Sequence, residues 1–259
     1  MQPTLTIDMI VEIPYDSIHT RDIKNYIYLD KRNMYLGVLS DALQGSEGKI
    51  NGISHTININ AWYNDPSKSV LLLTPDISST TNNNNNTHIH LPKHLNIRII
   101  PVVKGNVFSP KQLRPNWSNV RSWIFTNNRP IDETIEVSTG TSTPFYNTTI
   151  AEDCGMLTTH YTIYAAFTAV PAAVPATIAA KAWARRRGWH RYTDHLSPSL
   201  ITLIMVYLIQ TNRILKIMNP LQCLRVLFTF LASTDFTKFP MVLKPVDISY
   251  ITKYNYFTT

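Results

Sequence analysis

The stretch Ile53–Tyr63, ISHTININAWY, decides the character of the first half of the chain. Ile53, Ile57, Ile59 and Ala61 fall on one side of an extended backbone, and Asn58 and Asn60 on the other. That period of two predicts a half-buried strand. Moving outward, Val70–Leu73 reads as a short buried strand, and Leu95–Val103 (LNIRIIPVV) resumes the sheet. Upstream, Leu5–Ile13 (LTIDMIVEI) is rich in β-branched residues and stops at Pro14. Between these strands, Arg21–Leu43 reads as a helix with Ile27, Met34, Leu36, Val38 and Leu39 on its apolar side. Ser78–Thr87 holds five consecutive asparagines. Such a tract has no apolar face to bury, so a disordered loop tip is expected there.

The second half changes period. After an irregular stretch, Phe108–Thr143, helices are predicted over Asn147–Phe167, Ala176–Gly188, Ser199–Ile217 and Leu221–Ala232. Gly188 is a stop, and Ser197-Pro198 and Asn219-Pro220 are cap and first-turn pairs. Leu224, Leu227, Phe228 and Leu231 form one stripe. Strands with an inserted helix, then helices, predict an α+β chain of two domains with a boundary at residues 143 and 144.

Composition narrows the function classes. With 259 residues, 44% of them hydrophobic, the chain has material for real cores, which argues against wholesale disorder. Two cysteines, Cys154 and Cys223, cannot build a disulfide scaffold or a four-cysteine zinc site, and their scarcity fits a reducing compartment. The opening MQPTLTIDMI has no signal-peptide layout, so the sequons at Asn85, Asn116 and Asn147 are read as accidental. The longest apolar run, Leu200–Ile209, falls short of the roughly 18 residues of a membrane span. A soluble protein without a membrane partner is expected. Up to residue 140 there are 13 Lys and Arg against 12 Asp and Glu, and beyond it 11 against 5. A positive excess concentrated in one half suits a polyanionic partner or simply a basic domain.

Common catalytic signatures are missing: no G-x-S-x-G, no H-E-x-x-H, no G-x-G-x-x-G. Gly45-Ser46-Glu47-Gly48-Lys49 lacks P-loop spacing and reads as a turn after a helix. His88, His90 and His94 border the asparagine tract without acidic or cysteine partners, so no metal site is expected of them. His190 and His195 read as surface or capping residues.

Several segments carry chemistry in a fixed order. They are Asp8 in IDMIVEIP, KRNMYLGVLSDAL from Lys31, RPNWSNVRSW over Arg114–Trp123, and Pro144-x-Tyr146-Asn147-x-x-Ile150-x-x-Asp153. AAKAWARRRG over Ala179–Gly188 and LSPSLITLIMVYLIQ from Leu196 follow, then LRVLFTFLASTD over Leu224–Asp235. The lysine-x-tryptophan helix ending in arginines and glycine resembles the central helical domain of poly(A) polymerase-type nucleotidyltransferases. The whole ordered series resembles the Nrap family, over nearly the full chain.

The resemblance implies a degenerate nucleotidyltransferase-like mixed sheet with helices over residues 1–143, its N-terminal part missing. It implies an all-helical poly(A) polymerase or oligoadenylate synthase-like domain over 144–259, truncated at its C-terminal end. A fragment or a shortened gene product is therefore expected. It also implies a nuclear, nucleolar protein of the small-subunit processome, acting in ribosomal RNA processing. Its partners would be pre-ribosomal RNA and processome proteins, with no small-molecule substrate. Lys181 matches the lysine that contacts triphosphate in active relatives.

Two-metal nucleotidyl transfer needs clustered carboxylates to hold magnesium. Asp8 can supply the first, but the alternate strand position is Ile10, Glu12 comes later on that face, and LNIRIIPVV offers Arg98 instead of an acid. The expectation is therefore a non-catalytic scaffold without cofactor or metal, with Asp8 as a salt-bridge partner or strand-end residue. The alternative is an active RNA nucleotidyltransferase using Asp8 and Glu12 with magnesium, and a third reading is a protein-only interaction module. Candidate RNA- or partner-binding residues are Arg114, Asn119, Arg121, Lys181, Arg185, Arg186, Arg187 and Arg191. Each of the arginines among them can hold phosphate oxygens in pairs. Trp183 is read as a core residue. The tail from Val246 to Thr259 is apolar and without an evident partner, which predicts a marginally stable isolated chain.

Overall fold

The computed structural model describes residues 5–45, 49–50, 53–62, 65–76, 95–121, 141–189, 196–238 and 241–246. The asparagine tract and the tail from residue 247 onward lie outside the described residues. The chain divides into two compact units, Met1–Leu157 and Thr158–Thr259.

Five strands form one mixed sheet in the first unit: β1 (Leu5–Glu12), β2 (Lys49–Ile50), β3 (Ile53–Trp62), β4 (Asp65–Pro75) and β5 (Leu95–Val102), in the order β1-β5-β4-β3-β2. β1 runs parallel to β5, while β4 is antiparallel to both β3 and β5. Alternation sorts the side chains onto two faces. One face sets Leu71, Leu73 and Ile99 against Leu36 of helix α1 (Ile27–Gly45), with Val11, Ile57 and Ile97 beside them. The other gathers Trp62, Val70, Ile100 and Val102, with Ile10 of β1 and Met156 of helix α2 (Pro144–Ala169).

The helix expected from Arg21 starts later. Two short 3-10 turns, Tyr15–Ser17 and Thr20–Ile23, come first, and Asn25 and Tyr26 then take left-handed φ of 59° and 64° before α1 begins. An aromatic residue rarely sits there. Its surroundings hold it: Asn25 donates its N–H to the Asn119 carbonyl at 2.8 Å, and the Tyr26 ring lies 4.7 Å from Tyr146. The expected apolar side is also rearranged. Met34 and Val38 are exposed, and the buried side is Tyr28, Leu29, Arg32, Leu36 and Ser40. The pattern misleads because an arginine occupies the inward position.

The boundary expected at 143 and 144 falls instead inside α2. Tyr146, Ile150 and Cys154 from its first turns are buried with Tyr28, Phe108 and Val120 in the first unit. Burial pushes the Cys154 thiol up to about 12, so it stays protonated and inert.

The described elements of the second unit are helices: the end of α2, α3 (Ala173–Arg186), α4 (Pro198–Gln210) and α5 (Pro220–Ser233). Ala176, Ala180 and Ala184 recur every four residues on α3, and these small side chains let it pack closely on α4 and α5. Ile201, Ile204, Met205, Leu208, Leu227 and Phe230 complete that core. Both cap pairs form as read: Ser197 Oγ accepts from the Leu200 N–H at 3.1 Å, and Asn219 and Gln222 make a reciprocal capping box. The helix expected to reach Ile217 stops at Gln210, because Asn212 takes φ of 56° and closes it. Among the described residues no single helix is long and apolar enough to cross a membrane.

Candidate nucleic-acid interface

The predicted binding residues fall in both units, and the structure brings only some together. In the second, α3 is terminated by Gly188, whose φ of 75° is open to glycine without strain. Arg185, Arg186 and Arg187 occupy this end, all exposed and making no ion pair among the described residues. Lys181 lies one turn earlier on the same face as Arg185, as the four-residue spacing requires. Together with Ala182, Ala184, Leu196 and Pro198, the two line a cavity of about 480 Å³. Lys181 is half-buried there, and burial lowers its ammonium below the ordinary lysine value. Desolvation of a cation with no acidic partner among the described residues favours an incoming anion. Trp183 points the other way and stacks edge-on against Trp189 and Phe228, at 4.7 and 4.8 Å between ring centroids. Arg191, His190 and His195 lie outside the described residues, as do His88, His90 and His94.

In the first unit, Arg114 presents its side chain to solvent while its carbonyl accepts from Asn147 Nδ2 at 2.8 Å. Arg121 is half-exposed, with its backbone N–H donated to Asn25 Oδ1 at 3.0 Å. Asn119, expected at a partner surface, is instead only 2% exposed. Its amide donates to the Gln112 carbonyl at 2.8 Å and to Asn147 Oδ1 at 2.7 Å, so it is committed to holding its own loop. Asn147, itself fully buried, also donates to the Trp117 carbonyl at 2.9 Å. Two segments that the sequence singled out separately thus lock each other.

The Asp8 carboxylate meets the Arg98 guanidinium in a two-pronged pair, Nε to Oδ1 at 2.8 Å and Nη2 to Oδ2 at 2.9 Å. Parallel register sets these residues opposite one another, and the guanidinium also stacks 4.5 Å from the Trp62 ring centroid. Glu12 is four residues from Asp8 on β1, hence about 13 Å away along the strand. Two metals in a transfer site stand roughly 3.5–4 Å apart and need their ligands gathered around them.

One constellation was not legible as a unit. Asp153 of α2 is fully buried, with Arg32 Nε at 2.9 Å, Lys68 Nζ at 2.9 Å and the Tyr28 hydroxyl donating at 2.7 Å. Lys68 also pairs with Glu152 at 2.9 Å, and Arg32 donates to the Ser69 carbonyl. Burial, then the Asp153 charge, hold the Tyr28 hydroxyl well above the ordinary tyrosine value, so it remains a donor. Arg32 and Asp153 each lie in a quoted segment, 121 residues apart, but Lys68 carried no signal. The enclosure of this cluster gives it a packing role within the first unit.

The family model described as Nrap protein domain 1 matches residues 1–169. Nucleolar protein 6 of Drosophila persimilis is 26% identical over 235 residues, which cover 91% of this chain and 18% of that protein. Nucleolar protein 6 of Xenopus laevis is 25% identical over 237 residues, 92% of this chain and 19% of its own length. The chain spans about a fifth of the curated relatives it matches.

Proposed function

Because the chain belongs to the Nrap family, we propose that it serves as a nucleolar ribosome-biogenesis module. In this reading it is a non-catalytic scaffold that contacts pre-ribosomal RNA and proteins of the small-subunit processome. The name of its relatives, nucleolar protein 6, supports nucleus and nucleolus as its location. The observation that carries the RNA contact is the exposed Arg185-Arg186-Arg187 run beside the Lys181 cavity. A cation or two at a helix C-terminus complements the helix dipole. Three exceed that need and suit phosphate oxygens.

The Asp8–Arg98 pair supports the absence of catalysis. A metal at Asp8 would have to displace a guanidinium that offers two hydrogen bonds, and would sit beside its positive charge. The neighbouring positions on that face, Ile10 and Ile100, have no ligand atoms. The chain is expected to incorporate no nucleotide into an RNA primer with magnesium or manganese, and Asp8→Asn to leave its biological function nearly unchanged. Primer extension that vanishes in Asp8→Asn would establish the nucleotidyltransferase reading instead.

The RNA contact has its own measurement. Replacing Arg185, Arg186 and Arg187 together by Gln should leave thermal unfolding unchanged and weaken RNA binding. For single-stranded RNA each lost phosphate contact removes about 0.7 from the slope of log affinity against log salt, so the slope should flatten by about 2. An unchanged slope would reduce the run to a solvated helix end.

A further inference from the structure

A second basic feature lies at the other end of α4, built from residues that none of the quoted motifs explains. Thr211 caps the helix, Asn212 takes the left-handed conformation, and two bonds close the turn: Asn212 N–H to the Ile209 carbonyl at 3.0 Å and Arg213 N–H to the Leu208 carbonyl at 2.9 Å. This is the paired closure of a Schellman motif, and it fixes the backbone of Arg213. The Arg213 guanidinium then rests over the Phe230 ring, 5.2 Å from its centroid. From α5, Arg225, Thr229 and Ser233 recur every four residues along one ridge. With Val226 and Phe230 as its apolar floor, this set lines a cavity of about 350 Å³.

Arg213 and Arg225 are exposed and have no acidic partner among the described residues; the nearby acid in sequence, Asp235, is engaged by Lys238 at 3.1 Å. Arg213 complements the α4 C-terminus. Arg225, however, stands in the second turn of α5, where the helix dipole favours no cation. The Thr229 hydroxyl makes no hydrogen bond among the described residues, and the Ser233 hydroxyl spends its proton on the Thr229 carbonyl at 2.8 Å.

We propose that this groove binds a phosphodiester of single-stranded RNA. The two guanidiniums would take the phosphate oxygens, Thr229 would donate to one of them, and the Val226–Phe230 floor would receive the adjoining sugar and base. A pocket of this size with an apolar floor suits a nucleotide splayed from its neighbours, which a duplex does not offer. The 13-residue α4 separates this groove from the Lys181 cavity by about 20 Å, so the two are distinct sites. The proposal rests on the RNA-binding reading and adds a second contact to it.

The test uses the full chain and a labelled oligouridine of about twelve nucleotides, titrated across roughly 50–200 mM salt. Arg213→Gln with Arg225→Gln should lower the salt slope by about 1.4 and the affinity by about tenfold. The corresponding pair of lysine substitutions should keep the slope but bind more weakly, having lost the fork. If the double Gln variant melts earlier, Arg225→Gln alone carries the test, with about 0.7 of slope expected. An unchanged slope and affinity here, while the triple variant at residues 185–187 flattens its own, would overturn the groove and leave the RNA reading standing. If neither set moves the slope, both fall. A glutamate-rich peptide that binds the wild type more tightly than the RNA does, and loses that binding in the double variant, would also overturn the proposal in favour of an acidic protein partner.

Discussion

Asp153→Ala is expected to destabilise the first unit by about 3–5 kcal/mol, because it leaves two buried cations facing an apolar gap. Arg32 and Lys68 are both almost wholly inaccessible, and Asp153 is the charge they share. Lys68 would keep Glu152, whose side chain is half-exposed, while Arg32 would keep only the Ser69 carbonyl among the described residues. A loss of that size is a large part of the roughly 5–15 kcal/mol that holds a domain together. Urea unfolding measures it directly. Asp153→Asn retains an acceptor for Tyr28 and should fall between wild type and Ala. Replacing Arg32 by Met and Asp153 by Leu together should recover much of the loss, as apolar substitutes for buried pairs often do. A shift under about 1 kcal/mol for Asp153→Ala would mean that water reaches the cluster and solvates the cations.

Asn147→Ala is expected to cost about 2–4 kcal/mol and to loosen the loop carrying Arg114 and Arg121. The side chain gathers the Asn119 amide and the Arg114 and Trp117 carbonyls, and also accepts from the Thr143 hydroxyl at 3.1 Å. Each buried polar group left without a partner costs about 1–3 kcal/mol, less where water can enter. Limited proteolysis should then cut within residues 109–121 in the variant and spare the wild type. Thermal unfolding that matches the wild type, with the same cleavage pattern, would show that the loop holds without this bridge.

What could be read from the sequence depended on whether one local rule decided the outcome. Ser197-Pro198 and Asn219-Pro220 were legible because a helix cap is a contact between residues three apart. The strands were legible from their β-branched runs, but the half-buried face expected of β3 was not. Ile59 and Ala61 are exposed, because β3 lies beside the short edge strand β2 and only the inner strands β4 and β5 are well covered. Helix α1 was misread because its inward stripe includes Arg32, whose counter-ion is far away in the chain. Its start was misread because Asn25 and Tyr26 are bent by contacts with Asn119 and Tyr146, which no local propensity encodes. Among the candidate site residues, the arginines of α3 stand exposed at the helix end where the sequence places them, as a run after alanines and before Gly188 requires. Asn119 was misassigned because an amide suited to phosphate is equally suited to a carbonyl of its own fold. Arg213 and Arg225 are 12 residues apart in the chain, and only the turn after α4 brings them to one groove.

The pairing of β1 with β5 also bears on how the sheet comes together. β3 and β4 are neighbours in sequence and can zip as a hairpin, and β5 can add to them. β1 must instead close a loop of 90 residues to reach Arg98 from Asp8. Such distant pairings form slowly, since the loop entropy is lost before the contacts accrue. On arrival the strand could dock one residue out of step, which would turn Ile10 away from the α2 side and reverse every side chain. Only in the native alignment do Asp8 and Arg98 stand opposite each other. A two-pronged ion pair between Asp8 and Arg98 thus acts as a stop that tells β1 where to halt along β5.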